Sequence, residues 1–197
     1  MRRLLTISAA TLLLGALLLG AAALPSTVFA VQEGSGFWIE GTSTVSPYTC
    51  AAERVAGSGR VVGSDVAAEV VVSVRTFDCG VRPMNRDFYR ALRGDEHPQI
   101  RFSLRGAELV EEASVPDGWA KVRAFGTLEL AGVSRSITLI AEGRYLDDGT
   151  VRIRGRHPLR MTHFEVEPPS GMLGLVRAHD QVVARFDLIA SASNGAR

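Results

Sequence analysis

Apolar and polar residues alternate one by one through segment after segment of this chain. A side-chain period of two belongs to strands with one buried face. In residues 99–106, Ile100, Phe102 and Leu104 alternate with Arg101, Ser103 and Arg105. Residues 67–77 are rich in β-branched side chains, with Val70, Val72 and Val74 facing one way and Val71, Ser73 and Arg75 the other. Residues 37–45, 119–130, 134–143 and 181–190 repeat the pattern, and Val151, Ile153 and Gly155 alternate with Arg152, Arg154 and Arg156. Turn chemistry separates these runs: Gly63-Ser64-Asp65, Val115-Pro116-Asp117-Gly118, Ala131-Gly132 and Asp147-Asp148-Gly149. A second strand is expected to straddle residues 60–62, between glycines too dense for a helix interior.

One stretch breaks the rule. Pro83-Met84-Asn85-Arg86-Asp87 has the chemistry of a helix start, with Asn85 as the expected N-cap. Phe88, Tyr89 and Leu92 form its apolar side, Arg86, Arg90 and Arg93 its solvent side, and Gly94 and His97-Pro98 stop it. So short a helix is unstable alone and must be held by packing. Met172 and Leu173 follow a second break at Pro168-Pro169-Ser170-Gly171.

About eight strands with single apolar faces, joined in sequence by short turns, are most economically satisfied by an all-β, eight-stranded antiparallel barrel with the helix inserted between strands. Val72, Val74, Phe102, Leu104, Leu128, Leu130, Ile137, Leu139, Phe186 and Leu188 are expected to face its interior, with Phe88, Leu92, Met161 and Met172 near the openings. Phe88 and Leu92 are read as a lid. Such a barrel either packs solid, as a structural or protein-interaction domain, or holds one apolar ligand, and periodicity does not separate the two.

The first thirty residues stand apart from the fold. Met1-Arg2-Arg3 is a positive start, residues 4–24 are almost wholly apolar, and Val28-Phe29-Ala30 offers a small-residue cleavage site, so residues 1–30 are expected to be a secretory signal and 31–197 the domain. An uncleaved anchor is the alternative, since an apolar run of about 20 residues also spans a bilayer. Export implies a periplasmic or secreted protein, with proximity to a membrane and either a monomer or a homodimer left open. Its two cysteines, Cys50 and Cys79, lie in the exported part; a disulfide closing roughly 30 residues contributes about 3.5 kcal/mol, and two free buried thiols are the alternative. Removing residues 1–30 takes Arg2 and Arg3 from a total of 22 basic and 21 acidic side chains, leaving a net charge of −1 and no basic face for nucleic acid.

Catalytic signatures are lacking: there is no GxSxG, HExxH, P-loop or GxGxxG motif. The four histidines, His97, His157, His163 and His179, are too scattered to predict a metal site. An enzymatic alternative would need His157 or His163 to meet Glu165 or Glu167 at a barrel mouth. No catalytic residue, metal or cofactor is expected.

The run Met84-Asn85-Arg86-Asp87-Phe88-Tyr89-Arg90-Ala91-Leu92, followed by His97-Pro98-Gln99-Ile100-Arg101-Phe102, resembles the YceI-like family. So do Gly126-Thr127-Leu128-Glu129-Leu130-Ala131-Gly132 with the following Val133-Ser134-Arg135-Ser136-Ile137-Thr138-Leu139, the opening Gly41-Thr42-Ser43-Thr44, and Met161-Thr162-His163-Phe164 ahead of Pro168-Pro169. The resemblance spans roughly residues 37–190, and Cys50 with Cys79 looks like a cysteine-bearing branch of the family. It implies an exported, lipocalin-like barrel holding a polyisoprenoid or fatty-acyl chain, isoprenoid quinones included, for transport, storage or stress response, without catalysis. Two positions depart from the family's pattern: Glu165 stands where a glycine is usual, and Gln99 where a threonine is usual.

Overall fold

A computed structural model describes residues 26–112, 118–171 and 175–193. Residues 1–25, three residues of the turn at 115–118, and Met172 with Leu173 lie outside the described residues. Among the described residues there are twelve strands: β1 (Ser26–Val31), β2 (Gly36–Ser43), β3 (Pro47–Ala52), β4 (Ala56–Val62), β5 (Asp65–Ser73), β6 (Phe77–Asp78), β7 (Gln99–Glu111), β8 (Ala120–Leu130), β9 (Val133–Tyr145), β10 (Thr150–Arg160), β11 (Ser170–Gly171) and β12 (Val176–Ala192). One α-helix, α1 (Arg82–Ala91), interrupts them.

Neighbouring strands run antiparallel in the order β1-β4-β5-β7-β8-β9-β10-β12-β2-β3-β6, and β1 also pairs with β12, so the sheet closes into an eight-stranded antiparallel barrel. The 17-residue β12 makes closure possible. One of its edges carries β10; the other carries β2 near residues 178–187 and β1 at residues 190–192. Residues Ser26–Ala30, expected from the sequence to belong to the export segment, are therefore strand, pairing with Ser58–Val62 of β4 on one side while Phe29–Val31 pair with β12 on the other.

Two local irregularities follow from the residues present. The register of β7 against β8 shifts between Leu104 and Gly106, so its inward positions pass from Phe102 and Leu104 to Ala107. Pro158, which has no N–H to give, sits in β10 beyond Gly155, where pairing with β9 has ended. The arginine row of β10 is an outer, paired face, as its alternation suggests. Arg152 pairs with Asp187, Arg154 with Glu142, and Arg156 shares Glu40 with Arg185.

The helix is real, but its start differs from expectation. It begins at Arg82, with Val81 at the N-cap and a proline in its first turn. Asn85 is not the cap. Its Oδ1 accepts the Cys79 N–H at 2.7 Å and its Nδ2 donates to Asp78 at 3.0 Å, fastening the helix to β6. The Cys50–Cys79 disulfide ties the same point to β3. Tyr89 donates its hydroxyl hydrogen to the Phe77 carbonyl at 2.5 Å. Beneath α1 lies a buried cluster in which Cys50, Val74, Phe77 and Val166 are each 1% exposed and Leu92 and Phe164 are also buried.

A candidate ligand-binding lumen

Closure and alternation together leave space inside. The barrel holds a cavity of about 980 Å³, at the upper end of the range for ligand sites, with a predominantly apolar wall. Each strand supplies its inward set: Phe37 and Ile39 from β2; Val66, Ala68 and Val70 from β5; Phe102, Leu104 and Ala107 from β7; Val122, Ala124, Leu128 and Leu130 from β8; Ile137, Leu139 and Ala141 from β9; Val151, Ile153 and Leu159 from β10; Val182, Ala184, Phe186, Leu188 and Ala190 from β12. Phe29 and Val31 of β1, Tyr48 of β3, and Ser58 and Val61 of β4 border the cavity as well.

Among the expected interior residues, Phe102, Leu104, Leu128, Leu130, Ile137, Leu139, Phe186 and Leu188 line this cavity, as do Phe88, Leu92 and Met161. Val72 shares the inward face of β5, but Val74, expected to continue that strand, lies beyond its end in the 3₁₀ turn Val74–Thr76, and neither is on the cavity wall. They are 2% and 1% exposed, packed into the cluster beneath α1, where the helix fills the space a lumen would need. Met172 lies outside the described residues. Leu92 departs from a simple lid: at 7% exposed it is anchored in the core, whereas Phe88 packs at 5.0 Å, centroid to centroid, on Phe77 and borders the cavity.

Position along a strand hides several wall residues from sequence patterning. Tyr48 follows a proline and shows no alternation of its own, yet β3 places it inward. Its ring lies over Gly41, where any Cβ would clash with the phenol. His157 belongs to the inward row of β10 with Gly155 and Leu159. The alternation that marks the outer arginines also marks this histidine, once Pro158 is read as strand. Burial pushes the His157 imidazole below its ordinary pKa and the Tyr48 phenol above its own, so both side chains are neutral at physiological pH.

The histidine–glutamate arrangement considered for catalysis is not assembled. His157 faces the lumen, while His163, Glu165 and Glu167 are exposed around the short 3₁₀ turn Met161–Phe164. His97 packs against Gly132, and His179 meets Thr42 at 2.8 Å on the surface. Among the described residues no cluster of His, Cys, Asp and Glu suits a metal ion, and no helix is long and apolar enough to cross a membrane.

A closed antiparallel barrel with one inserted helix and an apolar interior defines the lipocalin-like class of architecture. The chain belongs to the YceI-like family, whose domain model matches residues 25–190. It is similar in fold to BcnA of Burkholderia cenocepacia, with 18% identity, a TM-score of 0.61, and coverage of 83% of this chain and 95% of that one. A polyisoprenoid binding domain from Saccharophagus degradans gives 12% identity, a TM-score of 0.65 and coverage of 84% and 98%. The YceI protein of Campylobacter jejuni gives 14%, 0.58, and 74% and 85%. No curated protein sequence matches the chain.

Proposed function

We propose that this protein is an exported carrier that holds a polyisoprenoid or fatty-acyl chain, isoprenoid quinones included, in its barrel for transport, storage or stress response. The apolar cavity of about 980 Å³ carries this reading. Burying a chain contributes about 0.8 kcal/mol per methylene, so a long ligand is retained without a charged anchor. The polyisoprenoid binding domain among its structural neighbours supports the same ligand class. A solid structural barrel would have a filled interior, so the cavity favours the carrier. No catalysis, metal or cofactor is part of this reading.

Export is supported by the Cys50–Cys79 disulfide, a bond typical of oxidising compartments. On this reading the leader is removed ahead of β1, which starts at Ser26, and Ala21-Ala22-Ala23 offers small residues for cleavage there. Delivery of such a ligand requires periodic approach to a membrane, and the barrel is complete within one chain, so a monomer suffices.

Mass spectrometry of organic extracts from protein purified out of its native cells tests the proposal. A stoichiometric prenyl or acyl lipid is expected. Extracts free of lipid, together with no uptake of prenyl or fatty-acyl compounds by the purified protein, would refute it.

A further inference from the structure

Two side chains interrupt the apolar wall. Tyr48 and His157 both face the cavity, both are half-buried, and neither the phenol hydroxyl nor the imidazole has a hydrogen-bonding partner among the described residues. Neither is among the fully buried polar atoms, so both keep accessible surface where they face the cavity, and ligand pockets characteristically carry a few such polar groups for their ligand to satisfy. The sheet brings the two toward one another. Leu159, Val182, Gly41 and Tyr48 form one cross-strand row through β10, β12, β2 and β3, and His157, Ala184 and Ile39 form the adjacent row. Tyr48 reaches back over Gly41, so its hydroxyl lies above β2, two strand spacings or about 10 Å from β10. Between them the wall is low at Ala184, while the Phe186 ring covers Gly155 and borders the space on the other side.

Building on the carrier reading above, we infer that Tyr48 and His157 form a head-group site inside the lumen for a chain lipid whose polar end is an uncharged oxygen group: an alcohol, a phenol or a ketone. A neutral imidazole offers one N–H and one acceptor nitrogen, and the phenol donates one hydrogen and accepts others, so the pair serves hydroxyl and carbonyl oxygens alike. Charged ends are disfavoured at this depth. The arginines bordering the cavity, Arg60, Arg86 and Arg160, are exposed side chains, and among the described residues no buried cation lines it. The polar end then sits in the half of the barrel nearer α1, and the hydrocarbon runs along Ile153, Val122 and Val66 toward the turns at residues 63–64 and 146–149.

Equilibrium binding to delipidated full-length protein tests the site with three matched compounds: farnesol, the hydrocarbon of the same skeleton, and farnesyl phosphate. The readout is the ratio of farnesol to hydrocarbon affinity. Tyr48→Phe and His157→Leu are each expected to lower that ratio by about threefold to tenfold, the range of one hydrogen bond, with hydrocarbon binding retained. His157→Gln, which keeps a donor and an acceptor, is expected to preserve the ratio, separating hydrogen bonding from shape. Circular dichroism confirms that each variant is folded, and hydrocarbon binding shows that its lumen is intact. An unchanged ratio in both Tyr48→Phe and His157→Leu, or farnesyl phosphate binding as tightly as farnesol, overturns the head-group site while leaving the carrier standing. Failure of all three compounds to bind the unaltered protein overturns the carrier reading and this site with it.

Discussion

At the scale of single residues, Glu165 shows how a family resemblance becomes physical. It stands where a glycine is usual in the resemblance, and its backbone adopts φ 57°, ψ 25°, the left-handed conformation, at the end of the 3₁₀ turn Met161–Phe164. An L-residue there costs roughly 1–2 kcal/mol, partly offset by the extra freedom a glycine loses on folding. Glu165→Gly is therefore expected to stabilise the protein by up to about 1 kcal/mol, read as a higher urea midpoint; a lower midpoint would show that the carboxylate compensates for the strain. His157 gives a second prediction. Its folded pKa is depressed by burial, so in the window below the ordinary histidine value of about 6.5 the unfolded chain binds more protons than the folded one. Stability accordingly falls as pH drops through about 6.5 and the loss levels off below the folded pKa. Urea titrations between pH 7.5 and 5 should show a flatter dependence in His157→Gln than in the unaltered protein, and identical slopes would remove His157 from this role.

At the scale of elements, the long strands were legible because their alternation is local. Residues 99–106 and 151–155 state their own faces, and their partners follow. The helix was legible from its proline, its apolar face and its stop at Gly94. Its first residue was not, because Asn85 suits a cap by type and the tertiary bonds to Cys79 and Asp78 decide otherwise. Strand β1 was hidden for a different reason: Ser26–Val31 adjoins a long apolar run, and its small and apolar residues read equally as the end of a leader. The disulfide was expected from the even cysteine count. It closes a separation of 29 residues and joins β3 to the root of α1, so Cys50→Ala/Cys79→Ala is expected to lose about 3–4 kcal/mol in chemical denaturation. A loss below about 1 kcal/mol would mean that packing under the helix suffices without it.

At the scale of the whole molecule, closure depends on β1, which bridges β4 and β12. A chain begun at Val31 loses those ladders and the burial of Phe29; with about 0.5–1.5 kcal/mol per hydrogen bond and up to about 3 kcal/mol for the aromatic side chain, it is expected to be at least about 3 kcal/mol less stable than a chain begun at Leu24. Equal thermal midpoints would show that the barrel closes without β1. Whether the interior was packed or hollow was beyond the reach of alternation, which tells which side chains point inward but not how far apart the opposite walls stand. That distance comes from strand number and register, both long-range properties. Val72 illustrates the limit: it shares a face of β5 with Val70, yet lies under α1 rather than on the cavity wall. A lipid chain held in the lumen would be displaced by bulk added on the inner face of the wall and not by bulk on the outer face. Ala124 and Arg123 are neighbours on β8 with opposite directions, Ala124 inward and Arg123 exposed. The direct measurement is uptake of a fluorescent prenyl compound by delipidated Ala124→Trp and Arg123→Trp, each confirmed as folded. Ala124→Trp is expected to weaken uptake by at least about tenfold while Arg123→Trp leaves it unchanged; equal uptake by the two would place the ligand outside the barrel.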